Sequence, residues 1–252
     1  MKLSVRLQEI ENRLPEGCTF ADIGSDHALL PVSAVLCGRA KSAVAGEVND
    51  GPYESAKRQV AGAGLEGKVD VRKGDGLAVI APGEVEAITI AGMGGALMAQ
   101  ILESGLSKLE GVKRLILQPN VGEEIVRRWL LEHDWYLTDE HILKEDGKIY
   151  EILTAERHNE AVKANQNLYH ERTLSSGLVL TKEWLLLMGP YLLNKPGAVF
   201  HEKWESEGDK LKRIRKQMAQ SEQDTARQKE AELTLQIDQL KEVLSCLPKD
   251  KQ

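Results

Sequence analysis

Cysteine is scarce in this chain and poorly spaced for chemistry. Cys18, Cys37 and Cys246 are odd in number and far apart, and no CxxC or HxxxH spacing occurs. The expectation is therefore reduced thiols in a cytoplasmic protein, with no disulfide framework and no metal site. Long apolar runs are also missing. The greasiest stretch, Trp184 to Leu193, is interrupted by Gly189-Pro190 and falls short of the roughly 20 residues that span a bilayer. The amino terminus reads Met-Lys-Leu-Ser-Val-Arg and then turns polar, so no secretory signal is expected. Excess positive charge is absent too. The net charge of −6 argues mildly against a nucleic acid partner.

What is present suits a soluble globular protein. Of 252 residues, 42% are apolar and 29% charged, enough to bury a proper core. The charge is unevenly placed. Residues 1–158 carry 18 Lys/Arg against 25 Asp/Glu, a net of −7, whereas residues 159–252 carry 15 against 14, a net of +1. The second part also holds the densest basic run: Lys210, Lys212, Arg213, Arg215 and Lys216. Such a run is either a solvated helix face or an electrostatic footprint for a polyanion.

Leu3, Leu7, Ile10 and Leu14 repeat at helical spacing, ended by Pro15 and Gly17. Strands and helices then alternate. Strands are expected at Thr19–Ile23, Ser42–Val48, Val69–Lys73, Ala87–Ile90 and Arg114–Gln118. Helices are expected at Leu29–Leu36, Pro52–Ala61, Ala96–Leu106 and Glu123–His133. Two further strand-like runs, Trp135–Lys144 and Lys148–Ala155, join at Asp146-Gly147, a strong hairpin signal. This pattern predicts an α/β protein: a mostly parallel seven-stranded sheet, helices on both faces, ending in an antiparallel hairpin. Ligands of such sheets bind at the carboxyl ends of the strands.

From about residue 159 no strand signal remains. Leu233, Ile237, Leu240, Leu244 and Leu247 form a coiled-coil seam; Phe200, Trp204, Leu211, Ile214 and Met218 fit the same repeat, with Glu207 in one slot. Polar Ser221–Arg227 lies between them. The expectation is an all-α, coiled-coil-like domain over 159–252, folded back as an antiparallel hairpin, after a sheet domain over 1–158. The seam can pair within one chain, giving the expected monomer, or between two, giving a homodimer.

The chemistry-bearing residues cluster just after the strands. The first strand runs into Asp22-Ile-Gly24-Ser25-Asp26-His27. A single glycine supports a pyrophosphate cradle poorly, since that would want GxGxxG. Carboxylates on both sides of it suit a cationic, amino-bearing ligand such as S-adenosylmethionine; the alternative is a plain turn capped by Ser25 or Asp26. The second strand ends in Gly46-Glu47-Val48. A carboxylate there, 25 residues beyond Asp22, stands near the spacing of a ribose-binding acid. Gly74-Asp75-Gly76 follows the third strand, either as turn chemistry or with Asp75 accepting from an adenine amine. After the fourth strand comes Ala91-Gly92-Met93-Gly94-Gly95, an unusual turn or a bare floor on which a flat base meets a methyl donor. After the fifth comes Gln118-Pro119-Asn120, two amides around a rigid proline, suited to reading a base.

Those motifs, in that order, resemble the bacterial TrmK family, the tRNA (adenine-22-N1)-methyltransferases. The resemblance runs through Ala21–Ala28, Ala45–Glu47, Gly74–Gly76, Ile90–Gly95 and Leu117–Asn120, and extends to Asp146-Gly147, Gly189-Pro190 and Lys203-Trp204. It implies a Rossmann-like class I methyltransferase fold. It implies S-adenosylmethionine across Asp22, Gly24, Ser25, Asp26, Glu47, Val48, Gly74, Asp75, Gly76 and Ala91, with Glu47 on the ribose, Val48 against the adenine and Asp75 at its amine. The target base would enter over Gly92, Met93 and Gly94, near Gln118 and Asn120, with Asp26 and His27 as further candidates for the chemistry. Many adenine N6-methyltransferases place Asn/Asp-Pro-Pro-aromatic after the fourth strand. That aromatic clamp is missing here, which fits a ring-nitrogen target better than an exocyclic amine.

Adenine N1 has a free lone pair at neutral pH, so no general base is needed, and catalysis reduces to alignment. Asp26 or the carbonyls around Gly92 would stabilise the cation developing on the ring. The target adenine would have to be unstacked or flipped out of the folded tRNA. The helical domain would supply tRNA contacts through the basic run, with Arg127 and Arg128 of the sheet domain as the alternative. Competing functions are methylation of another RNA base, a protein or a small molecule; a catalytically silent RNA-binding scaffold; and an NAD-dependent oxidoreductase. The intact Asp22, Gly24, Glu47 and Asp75 weigh against the scaffold, and the single glycine of the first turn weighs against the oxidoreductase.

Overall fold

The computed structural model describes residues 2–219 and 224–248, the side chains of 224–226 excepted. The chain divides into two compact units, residues 1–167 and 168–252.

The first unit begins with helix α1 (Val5–Asn12), capped by the Ser4 side chain. Then follow β1 (Cys18–Ile23), α2 (Leu29–Leu36), β2 (Ala40–Glu47), α3 (Asp50–Gly62), β3 (Val69–Lys73), β4 (Ala87–Gly94), α4 (Gly95–Ser104), β5 (Arg114–Val121), α5 (Glu123–Glu132), β6 (Trp135–Glu145), β7 (Lys148–Arg157) and α6 (Ala161–Leu168). The seven strands make one sheet in the order β3-β2-β1-β4-β5-β7-β6. All pairings are parallel except those of β7, which runs antiparallel to both neighbours. The hairpin at Asp146-Gly147 is thus where the sequence places it, both residues at positive φ.

The central strands are buried on both faces. Phe20, Ala43, Ala45, Ala87 and Ile116 pack with residues of α1, α2 and α3 in one core. Strand alternation turns the equally buried Ala21, Ile88, Ile90, Leu115 and Leu117 the other way, where α4 and α5 contact β4 and β5. This explains why the strands read as apolar runs rather than alternating ones. The order reverses between β1 and β4, so the carboxyl ends of these two strands flank the switch point at which ligands bind.

β4 and β5 outrun the expected strands. Pairing continues past Ala91–Gln118 to Met93–Pro119 and Gly94–Val121, with register shifts on either side of Met93. The two shifts leave Gly92 of β4 and Asn120 of β5 without a paired residue, and Pro119 is tolerated in a strand because it lies at this irregularity.

Residues 159–167 belong to the first unit, which moves the boundary from the expected 158/159. Helix α6 is held there by Asn165, which is buried and donates to the Trp135 carbonyl at 2.9 Å.

The second unit contains a two-stranded hairpin, β8 (Arg172–Thr173) and β9 (Val179–Leu180), whose strands of two residues each are too short to show a periodicity. Then come α7 (Lys182–Met188), α8 (Pro190–Asn194), α9 (Ala198–Met218) and α10 (Asp224–Cys246). The expected single helix 182–193 is split at Gly189, whose φ of 90° lies outside helical space. α9 and α10 form the expected antiparallel pair: His201 lies 3.0 Å from the Pro248 carbonyl, and Gly208 faces Leu240. The seam differs in two places. Gly208, not Glu207, fills the slot after Trp204, and a Cβ there would sit 3.5 Å from Leu240 Cδ2. On α10, Val243 is buried more deeply than Leu244.

Candidate active site

A cleft of about 360 Å³ opens at the switch point, lined by Arg6, Leu7, Asp22, Gly24, Ser25, Asp26, Leu29, Ala91, Gly92, Met93, Asn120 and Tyr150. Eight of these were candidates from the sequence: Asp22, Gly24, Ser25, Asp26, Ala91, Gly92, Met93 and Asn120. Each comes from the carboxyl end of β1, β4 or β5, as the topology requires.

The turn after β1 is strained and heavily tied down. Gly24 has φ +70°, and Asp26, His27 and Ala28 are three successive non-glycine residues at positive φ. Each such residue costs about 1–2 kcal/mol, a cost that persists where surrounding structure enforces it. Here the enforcement is visible. Gly24 and Ser25 donate their N–H groups to the Gly46 carbonyl at 2.9 and 3.2 Å. Ser25 Oγ donates to Asp22 at 2.8 Å, and Thr89 Oγ1 donates to the other Asp22 oxygen at 2.5 Å. The backbone N–H of Asp26 donates to the Glu47 carboxylate. Asp22 therefore stitches β1 to β4, and burial pushes its carboxyl above the ordinary range against the pull of these hydrogen bonds. A side chain at Gly24 is disfavoured by its φ of +70°, and its Cβ would fall 2.2 Å from Met93 Cε, so the end of Met93 would have to move. Met93 thus lies across the turn.

Glu47 ends β2 and is 6% exposed. Its Oε1 is buried without a hydrogen-bond partner. Burial raises its carboxyl, and the nearby charges of Asp22 and Asp26 raise it further. A buried, unsatisfied acceptor is costly, and it is what a ribose hydroxyl would satisfy. Next to it Val48 is exposed, at 55%, free to cover a flat ring. The residues present fit a nucleoside cofactor with a cationic, amino-bearing tail.

His27 is fixed at the surface, with Nδ1 2.5 Å from Ser55 Oγ and Nε2 3.3 Å from Asp26 Oδ1. It does not line the cleft. Gly74, Asp75 and Gly76 follow β3. Asp75 and Gly76 border a second cavity of about 320 Å³ against α4 instead of the first. A side chain at Gly74 would meet Val79 at 2.9 Å, which gives that glycine a packing role. Among Gly92–Gly95, the close approach belongs to Gly95, whose Cβ would sit 2.1 Å from the Gly122 carbonyl oxygen. Gly94 has no such constraint: a Cβ there would make only an ordinary contact, 4.0 Å from Val121 Cγ2.

Gln118 is fully buried behind the cleft. Its Oε1 accepts from Arg6 Nη1 at 2.6 Å and from Gly92 N–H at 3.2 Å. Its Nε2 donates to the Pro119 carbonyl at 2.9 Å and to Asn120 Oδ1 at 3.2 Å. Asn120 Nδ2 donates in turn to the Gly92 carbonyl at 2.7 Å.

The sequence reading missed Arg6, Thr89 and Tyr150. Arg6 sits 5.4 Å from the centre of the Tyr150 ring. The cleft is therefore not without an aromatic side chain. Its ring comes from β7 and not from the segment after β4. A basic residue on a first-helix face, a threonine inside an apolar strand and a tyrosine in a hairpin carry no local signal.

Arg127 cannot meet a tRNA, contrary to the alternative raised from the sequence. It is fully buried, donating through Nε to Glu140 at 2.5 Å and through Nη2 to Glu151. In the second unit, Lys210 and Lys212 are exposed but paired with Glu207 at 3.3 Å and Asp209 at 2.7 Å. Arg213 and Lys216 are exposed and Arg215 is half-buried. Among the described residues, no group of three or more His, Cys, Asp or Glu is placed to hold a metal ion. Within the same limits, no helix is long and apolar enough to cross a membrane.

Comparison with known proteins gives a consistent result. Residues 20–242 match the TrmK family model, described as tRNA (adenine(22)-N(1))-methyltransferase. The chain is 47% identical to the Bacillus subtilis (strain 168) tRNA (adenine(22)-N(1))-methyltransferase over 97% of its own length and 98% of that protein. It superposes on the crystal structure of the B. subtilis m1A22 tRNA methyltransferase with a TM-score of 0.85, covering 96% of this chain and 99% of that one. It also superposes on a Streptococcus pneumoniae protein, provisionally a tRNA (m1A22) methyltransferase, solved in complex with S-adenosyl-L-methionine. That match has 38% identity and a TM-score of 0.78, and covers 96% of this chain and all of the other.

Proposed function

The chain belongs to the TrmK family, the tRNA (adenine(22)-N(1))-methyltransferases, and on that footing we propose how its residues divide the work. It is an S-adenosylmethionine-dependent enzyme that methylates N1 of adenine 22 in tRNA. The observation that carries the site assignment is the buried, unpartnered Glu47 Oε1 beside the cleft.

Glu47 takes the ribose hydroxyls, Val48 covers the adenine ring, and Asp75 accepts from its amine where the cofactor reaches the end of β3. Both Asp22 oxygens already accept a hydrogen bond, so Asp22 acts mainly by holding the turn and by its negative field. Asp26, in the cleft, faces the cationic tail. Gly24, Ser25 and Ala91 shape the backbone around it, and Gly74 and Gly76 shape the turn that presents Asp75. Bound S-adenosylmethionine supplies an electrophilic methyl on a sulfonium.

The target adenine enters over Gly92–Gly94, with Asn120 at its edge. Its N1 lone pair needs no base, so the residues around it work by alignment. As positive charge develops on the ring, the Asp26 carboxylate and the Gly92 carbonyl stabilise it. His27 holds Asp26 in place and does not touch the base. Met93 closes the cleft over Gly24 and limits water.

The helical unit contributes tRNA contacts through Arg213, Arg215 and Lys216, with Lys210 and Lys212 weakened by their ion pairs. A first unit of net −7 needs a local source of attraction for a polyanion. The seam of α9 is covered by α10 of the same chain, which supports a monomer, and the scarce, unpaired thiols support a cytoplasmic location. Incubating unmodified tRNA with labelled S-adenosylmethionine, then separating the nucleosides, tests the function. Label should appear in 1-methyladenosine; label in N6-methyladenosine alone, or none, would refute it.

A further inference from the structure

Gln118 has all of its hydrogen-bonding capacity in use, and the chemistry of its partners fixes which way the amide points. A guanidinium only donates and a peptide carbonyl only accepts. Oε1 must therefore face Arg6, at 2.6 Å, and Nε2 must face the Pro119 carbonyl, at 2.9 Å. A flipped Gln118 would set donor against donor and acceptor against acceptor. The same logic passes to the next side chain. Asn120 Oδ1 faces the Gln118 amide nitrogen at 3.2 Å, and Nδ2 faces the Gly92 carbonyl at 2.7 Å. Asn120 is thus held from both sides, by the Gly92 carbonyl and by Gln118, and Gln118 is held in turn by Arg6 together with the Gly92 N–H at 3.2 Å and the Pro119 carbonyl.

Arg6 is itself fixed. Its backbone N–H donates to the Glu145 carboxylate at 3.3 Å, and its guanidinium stacks on Tyr150 at 5.4 Å. Asn120 is exposed and lines the cleft. After its internal bonds it retains one acceptor site on Oδ1 and one N–H. On the edge that carries N1, adenine presents an amine donor beside a lone pair that must stay free to react. Guanine presents a carbonyl and an N1–H on the same edge. An Asn120 acceptor set opposite the substituent on C6 matches the adenine amine there and repels the guanine carbonyl.

We propose that Arg6 is a positioning residue for base selection: through Gln118 it locks the Asn120 amide in the sense that accepts from the exocyclic amine of an adenine. This rests on the reading of Asn120 as the group at the edge of the target base. Loss of Arg6 removes the charged and shortest of the four hydrogen bonds that hold Gln118, leaving the Gly92 N–H as its oxygen's other donor, and so loosens both amides.

The test uses the full chain and tRNA transcripts carrying either adenosine or purine riboside, the same ring without the amine, at position 22. For wild type, kcat/KM should favour adenosine by about 10- to 100-fold, the range for one hydrogen-bonded contact. Arg6→Met should lower kcat on adenosine and shrink that preference to about threefold or less, with S-adenosylmethionine affinity unchanged within about threefold. Arg6→Lys should restore part of the preference, because an ammonium also donates to Gln118 Oε1. Gln118→Glu keeps the acceptor for Arg6 and Gly92 but removes the donor to Asn120, and should lose the preference with Arg6 intact. A wild-type preference retained in both Arg6→Met and Gln118→Glu would overturn the proposal. So would a change in Arg6→Met confined to cofactor affinity, which would assign Arg6 to the cofactor's carboxylate. Methylation of adenosine 22 by wild type with no preference over purine riboside would also overturn it, while leaving the enzyme's activity standing. Absence of any methylation by wild type would instead strike the activity itself.

Discussion

Glu47→Gln isolates the group on which the cofactor assignment rests. The substitution keeps the volume of a side chain that is 6% exposed, and keeps an acceptor for the Asp26 N–H that now bonds the carboxylate. It removes the charge and the second acceptor, the orphaned Oε1. A hydrogen bond to a charged group contributes about 1.5–3 kcal/mol, so S-adenosylmethionine affinity should fall by about 10- to 100-fold. The free protein should respond in the opposite sense. Burial raises the Glu47 carboxyl in the folded protein above its value in the unfolded chain, so the folded state binds that proton more tightly. Stability is then highest below the unfolded value, falls as pH rises through the raised folded value, and carries the full penalty above it. The variant should therefore be as stable as wild type or more so at neutral pH, with a flatter pH dependence just above the usual carboxylate range. Calorimetric titration with S-adenosylmethionine and ligand-free melting across pH are the assays. Unchanged affinity would remove Glu47 from the site, and a large loss of ligand-free stability would make it a structural carboxylate.

Gly94→Ala should fold and melt like wild type, since a Cβ there makes only an ordinary contact with Val121, whereas Gly94→Leu should fold, bind cofactor and lose turnover by blocking the base. Gly95→Ala should cost about 2–4 kcal/mol in denaturant titration, as its Cβ would collide with the Gly122 carbonyl; equal stability of the two alanine variants would contradict this division of roles. Replacing Arg213, Arg215 and Lys216 together with Gln should weaken tRNA binding and flatten its salt dependence, with cofactor affinity unchanged; an unaltered salt slope in a filter-binding titration would exclude the arm as the main electrostatic contact. Arg127→Met should destabilise the protein by about 3–5 kcal/mol, because it leaves Glu140 and Glu151 buried without their cation; a near-neutral melting shift would refute that reading.

Sequence order made the sheet legible because its strands are covered on both faces and so appear as unbroken apolar runs between helical repeats. The site was legible where it is local. A βα turn such as Asp22–His27 concentrates its chemistry in six consecutive residues, and topology then says which turns meet. Side chains recruited from a distance were not legible. Thr89 matters because it lies beside Asp22 in the parallel register, and Arg6 because α1 returns to the far end of β5. Neither fact has a trace in local spacing. The glycine cluster misled for a related reason. Its composition marks an unusual backbone but does not say which member touches another strand, and that member is Gly95 rather than Gly94. The first unit extends through α6, whose Asn165 donates to the Trp135 carbonyl, a contact that no periodicity announces.

The central claim is that this site places a methyl group on N1 of one adenine. Two transcripts of a single tRNA decide it, one with adenine at position 22 and one with guanine there, each incubated with S-adenosylmethionine and read by primer extension, which halts at an N1-methylated adenine. The account predicts a strong stop at position 22 in the first transcript and none in the second. A stop elsewhere, equal methyl incorporation into both transcripts, or no stop in the first would contradict it.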